Sequence, residues 1–170
     1  MLLNADAEPV RLLVLCTGNS ARSIMAEGLF NRLLGDHVEA FSAGSHPTGR
    51  VNPLAMDQLS DWTGAEPPRS KSWDEFLAPG AVPLDIVLTV CGNAGQVCPQ
   101  FPGTPQRVHW GLPDPAAVEG SEELKSDAFF ECYGALRTRI SALAENLGQL
   151  AGQRAEPSAL AAHMRSLAPS

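Results

Sequence analysis

The chain has 170 residues, 44% hydrophobic and 18% charged, with a formal net charge of -7. That length suits one α/β domain able to bury about 70% of the surface of its unfolded chain, and the composition excludes wholesale disorder. The acidic balance argues against a general nucleic-acid or anionic-membrane binder, since both rely on basic stripes, so any anion site has to be local.

The opening residues, MLLNADAEPV, lack a basic start with a long apolar run after it. No stretch approaches the roughly 18 uninterrupted apolar residues of a membrane span. A cytoplasmic protein is expected, with no membrane or nucleic-acid partner. Four cysteines, Cys16, Cys91, Cys98 and Cys132, are too few for a secreted disulfide scaffold and read as core, metal or catalytic thiols in a reducing compartment.

In chain order, the apolar run 11–15 with turn formers behind it predicts a buried parallel strand ending at Cys16. From Ser23 the residues Ile24, Met25, Leu29, Leu33 and Leu34 recur at helical spacing, and Gly35 supplies a stop. A second strand is expected at 38–42, followed by a Gly/Ser/Pro-rich loop at 43–49. Asn52 and Pro53 read as the cap and first turn of a helix ending near Gly64.

Residues 84–90 form the clearest central strand, with a fourth at 107–110. Ser121 and the acidic residues after it start a long amphipathic helix carrying Phe129, Tyr133, Leu136, Ile140, Leu143, Leu147 and Leu150. Residues 153–170 form an Ala/Pro/Ser-rich tail that either extends a helix or frays and to which no function is attached, which leaves 1–152 as the domain. Strands alternating with helices predict an α/β three-layer sandwich around a four-stranded parallel sheet, with ligands bound beyond the carboxyl ends of the strands. Cys16 and Cys91 both fall on that edge.

Between the first strand and helix runs Cys16-Thr17-Gly18-Asn19-Ser20-Ala21-Arg22-Ser23. A loop of this length can curl so that successive backbone N–H groups face one point, to which the helix adds its partially positive N-terminus. A tetrahedral oxyanion fits there. Arg22 can hold two of its oxygens at once, Gly18 relieves crowding where the backbone nears the ligand, and Ser23 can steady a thiolate. Among such dipoles and beside a guanidinium, Cys16 is favoured as the thiolate, the nucleophilic form.

CTGNSARS resembles the signature loop of the low-molecular-weight protein tyrosine phosphatases and of the thioredoxin-linked arsenate reductases related to them. The resemblance continues through FSAG at 41–44, RSKSWDEF at 69–76, TVCGNAGQVCP at 89–99 and HWGLPDPA at 109–116, and covers roughly residues 10–145. It implies that fold and an oxyanion held by Thr17, Gly18, Asn19, Ser20, Ala21, Arg22 and Ser23. It further implies that Asp114, of the Asp114-Pro115 pair, is the acid that protonates the leaving group, although Asp before Pro is also a common turn former.

The resemblance to the reductases implies that Cys16 attacks arsenate and that Cys91 and Cys98 form a relay passing the resulting disulfide to an external donor. By spacing alone, Cys91 and Cys98 also suit a core or half of a zinc site, though no adjacent Cys or His completes one. The expected partners are arsenate, with phosphate or sulfate as competing anions, and thioredoxin, glutaredoxin with glutathione, or another thiol donor. No tightly bound cofactor is implied; some relatives bind potassium at positions matching Asn19, Glu27 and Ser42.

Asp-Pro is followed here by Ala116-Ala117 and not by the tyrosines with which phosphatases of this group grip aromatic substrates, which favours the reductase reading over hydrolysis of phosphoesters. A non-catalytic oxyanion or redox sensor is a third reading. His109 and Trp110 are expected to pack, and Cys132 to be a structural thiol.

Overall fold

The computed structural model describes residues 8–63, 66–90, 99–150 and 155–168. Four strands, β1 (Val10–Cys16), β2 (Val38–Gly44), β3 (Ile86–Thr89) and β4 (Gln106–His109), form one parallel sheet in the order β2-β1-β3-β4. Both faces of β1 are covered: Leu12 and Val14 on one side and Leu13 and Leu15 on the other are at most 1% exposed. This explains why the strand reads as a continuous apolar run and not as an alternation.

The chain leaves β1 towards β2 on one side and later returns to β3 on the other. The crevice at the carboxyl ends of β1 and β3 is therefore the point where strand order reverses, the usual ligand position in such sheets. Leu15 pairs with Thr89 there, and Val90 donates to the Leu15 carbonyl at 3.0 Å.

Helix α1 (Arg22–Leu33) packs on β2 and on α3 (Glu122–Leu147). As the sequence predicts, α3 starts at Ser121, whose hydroxyl accepts from Leu124 N at 3.2 Å. Its buried stripe runs Phe129, Cys132, Leu136, Ile140, Leu143 and Leu147, with Cys132 taking the inward place expected for Tyr133, which is only half-buried. α2 (Pro53–Gln58) is shorter than predicted, because after Gln58 the chain turns through Leu59 N to Met56 O and Trp62 N to Leu59 O, both 3.0 Å.

Within residues 153–170, Pro157–Ser166 form a further helix, α4, which packs on β4 and α3 and buries Leu160, Ala161 and Met164. Trp110, fully buried, donates its indole N–H to the Met164 carbonyl at 2.7 Å and stacks on Phe30 at 6.2 Å between ring centroids. An orphaned indole N–H at that depth would cost about 1–3 kcal/mol, so α4 completes the core around Trp110. Among the described residues no helix is long and apolar enough to cross a membrane.

Candidate active site

The anion loop is shaped by where its carbonyls go. The carbonyls of Cys16, Thr17, Gly18 and Ser20 accept from the backbone N–H groups of Ser45, His46, Thr48 and Asn52 at 3.4, 2.9, 3.0 and 2.8 Å. Because each peptide plane is trans, turning these carbonyls towards residues 45–52 turns the N–H of the next residue the opposite way, into the loop. Asn19 adopts a left-handed backbone with φ 47, which asparagine tolerates better than most residues.

Helix α1 begins where this loop ends. Its N-cap residue, Ala21, has no side chain able to cap, and its first turn contains no acidic residue. The helix start therefore presents unsatisfied N–H groups and the positive end of its dipole to whatever fills the loop, an arrangement made for an anion.

Cys16 closes β1 at 3% exposure, with its Sγ 3.0 Å from the Ser23 hydroxyl. Arg22, on the first turn of α1, donates through Nη1 to the Leu112 carbonyl at 2.8 Å. Asp114 lies beside the same guanidinium, and its Oδ1 also accepts from Ala116 N at 3.0 Å, capping a short turn of 3-10 helix at Pro115–Ala117. The approach is backbone-driven: beyond β4, Trp110 N donates to Thr89 O at 2.7 Å and Leu112 N to Val90 O at 3.1 Å, which carries the Asp114 loop to the carboxyl edge. Cys16, Arg22, Ser23 and Asp114 are thus assembled on the edge that the sequence predicts. Cys91 and Cys98 lie outside the described residues; Val90, next to Cys91 in the chain, is the residue hydrogen-bonded to Leu15 beside Cys16.

Residues 11–153 match the family model of the low molecular weight phosphotyrosine protein phosphatases. The chain belongs to that family. The arsenate reductase of Halalkalibacterium halodurans is 41% identical over 132 residues, spanning 77% of this chain and 92% of that protein. Among solved structures, an arsenate reductase from Archaeoglobus fulgidus aligns with a TM-score of 0.59 at 25% identity, covering 79% of this chain and 98% of that one. A thioredoxin-dependent arsenate reductase from Corynebacterium glutamicum aligns with a TM-score of 0.56 at 26% identity, covering 86% and 65%.

In this member of the phosphatase family, several site residues escape a reading of the sequence. Gly44 lies against the loop: a Cβ there would stand 2.5 Å from the Thr17 carbonyl and 3.0 Å from Asn19 N. At Gly18 a Cβ would meet Thr48 Cγ2 at 3.2 Å and Ser20 Oγ at 3.6 Å. Ser70 donates to the Gly18 carbonyl at 3.2 Å, and Lys71 N to Asn19 Oδ1 at 2.9 Å. These contacts span 52 residues, so no local pattern reports them.

Asn19, Glu27 and Ser42 are brought together. Asn19 Nδ2 donates to Ser42 Oγ at 3.0 Å and to Ser23 Oγ at 2.8 Å, and Ser42 donates to Glu27 Oε1. As a potassium site the set fits poorly. The amide turns its N–H groups inward, its oxygen is taken by Lys71 N, and the Lys71 ammonium stands 3.9 Å from Glu27 Oε1.

Of the remaining candidates, Trp110 packs in the core, whereas His109, expected to pack, is exposed at the end of β4 with its Nδ1 bonded to the Thr89 hydroxyl at 2.6 Å. Burial pushes the Cys132 thiol up to about 11, which keeps it protonated and poorly nucleophilic.

Proposed function

We propose that the protein reduces arsenate to arsenite with thiols as the electron source. The observation that carries this reading is a buried thiol at the end of β1, within an outward-tied loop and an uncapped helix start, in a chain whose curated relatives are arsenate reductases. Arsenate has the tetrahedral shape and charge such a loop accepts, and phosphate and sulfate compete for it on the same grounds.

The Cys16 thiolate attacks arsenic and forms an S–As bond while one As–O bond breaks; Asp114 protonates the departing oxygen, which leaves as water. The Cys91 thiolate then attacks Cys16 Sγ. The S–As bond breaks, its electron pair stays on arsenic, arsenic falls from the +5 to the +3 state, and two thiols become the Cys16–Cys91 disulfide. Attack by Cys98 on Cys91 frees Cys16 as thiolate and leaves Cys91–Cys98, which an external dithiol such as thioredoxin reduces. The cytoplasm supplies the reducing conditions this cycle needs.

The test supplies arsenate with thioredoxin, its reductase and NADPH, and p-nitrophenyl phosphate in a separate assay. Arsenate-dependent NADPH oxidation, lost in Cys16→Ser, is the expected result, because a serine hydroxyl is protonated at neutral pH and forms no disulfide. NADPH oxidation indifferent to arsenate, together with strong phosphatase turnover, would replace this reading with phosphoester hydrolysis.

A further inference from the structure

The hydrogen bonds behind the anion loop run in one direction. An ionised Glu27 can only accept, so the Ser42 hydroxyl spends its hydrogen on Glu27 Oε1 and offers its oxygen to Asn19. The two amide hydrogens of Asn19 go to Ser42 and Ser23, an orientation locked by the Lys71 N–H on Oδ1. Ser23, having accepted from Asn19, is left with its own hydrogen for the Cys16 sulfur 3.0 Å away. The carboxylate thus sets the polarity of a chain that ends on the nucleophile. Reversing Ser42 would break the order at every later link.

That carboxylate is 14% exposed, and a charge so placed needs a partner. Burial raises its pKa, while the Lys71 ammonium and the Ser42 hydroxyl pull it back. Lys71 is 10% exposed, its Nζ also donates to the Arg69 carbonyl at 3.0 Å, and its own carbonyl accepts from Gly44 N at 2.9 Å. It is therefore held on both sides by its backbone. Arg69, the other cation near Glu27, is engaged in two hydrogen bonds by Glu75 at 2.9 and 2.8 Å.

We propose that the Lys71 ammonium is the built-in cation of this network and a positioning residue for Cys16, so that the loop keeps its working form without an added monovalent ion. An ion at Asn19, Glu27 and Ser42 would have to displace hydrogen-bond donors already aimed inward and share Glu27 with an ammonium. Fixed in the chain, the charge is present at any salt composition.

The test reads the Cys16 thiol itself and uses no arsenate, so its failure is separate from a failure of the reductase assignment. Iodoacetamide labelling of Cys16 at neutral pH, followed by mass spectrometry of its peptide, is compared in potassium chloride and choline chloride at equal ionic strength. The wild-type rate is expected to be the same in both salts. Lys71→Ala should label about tenfold more slowly in choline chloride, the worth of one charge-assisted hydrogen bond from Ser23 to the sulfur, and recover in potassium chloride, where the vacated space admits the ion. Lys71→Arg should behave as wild type.

Should Lys71→Ala not fold, Lys71→Met keeps the bulk of the side chain and removes only its charge; it should label as slowly as Lys71→Ala in choline chloride. Slow wild-type labelling in choline chloride, or wild-type rates in that salt for the Lys71→Ala or Lys71→Met variant, would each overturn the proposal.

Discussion

Nη2 of Arg22 lies 3.7 Å from Oδ2 of Asp114, and the carboxylate is 44% exposed on its outer side. The proposed oxyanion clamp and the proposed acid are therefore neighbours, and the guanidinium orients both partners of the first step. Asp114→Asn should lower kcat by about 10²- to 10⁴-fold, the usual worth of a positioned acid. It should also bind phosphate more tightly, because a negative charge beside the anion is gone. Phosphate inhibition constants measured against arsenate turnover check the second part; weaker binding would mean that Asp114 serves chiefly to orient Arg22.

Cys98→Ser separates chemistry from recycling. A prereduced sample without thioredoxin should release about one equivalent of arsenite per chain, as a two-electron couple requires, and stop with Cys16–Cys91 joined. Counting arsenite and mapping disulfides after a quench gives the answer. Sustained wild-type turnover of this variant with thioredoxin would show that the donor opens the first disulfide directly.

Gly44→Ala should be destabilising by about 1–3 kcal/mol, the range of overpacking strain, because its Cβ would meet the Thr17 carbonyl at 2.5 Å and the Asn19 N and Cβ at 3.0 Å, none of them the end of a flexible side chain. Urea unfolding measures the loss. Activity should fall further than stability accounts for, since the displaced atoms belong to the anion loop.

Cys132 has a folded-state pKa raised from 9.0 to about 11 by burial. The stabilisation that goes with its neutral thiol is fully present below 9.0 and is lost as the pH rises through about 11. At mildly alkaline pH it should resist alkylation, and Cys132→Ala should keep turnover within about twofold while costing on the order of 1 kcal/mol in stability. Rapid labelling of Cys132 in the folded chain would contradict its placement in the buried stripe of α3.

The parts of the site legible in the sequence are those encoded locally. Cys16 to Ser23 lie within one strand-loop-helix unit, and apolar runs mark β1 and β3, so the anion loop and its place on the sheet edge follow from the chain itself. Lys71 is different. Between an arginine and two serines it reads as one more solvated charge, and only the parallel pairing of β1 with β2 and the Gly44 to Ser72 bridge bring it opposite Glu27. Glu27 was placed near the loop by resemblance, but its partner is tertiary. The overlong α2 has the same origin, since packing after Gln58 overrides a helical pattern that continues on paper. For α4 the composition rich in Ala, Pro and Ser leaves helix and frayed tail equally open; its three buried side chains acquire meaning only against β4 and Trp110.

β4 is a border strand of the sheet. Arg165 of α4 donates through Nε and Nη2 to the Arg107 carbonyl at 3.1 and 2.8 Å, placing a guanidinium along that border. An uncovered strand edge is a template on which another chain can pair, and a charged group laid across it discourages such pairing. α4 lies beyond the residues 11–153 that match the family model. A chain shortened to those residues would keep the catalytic loop yet bare this border and orphan the Trp110 indole N–H, so it should lose about 1–3 kcal/mol of stability and self-associate at high concentration, visible by urea unfolding and light scattering.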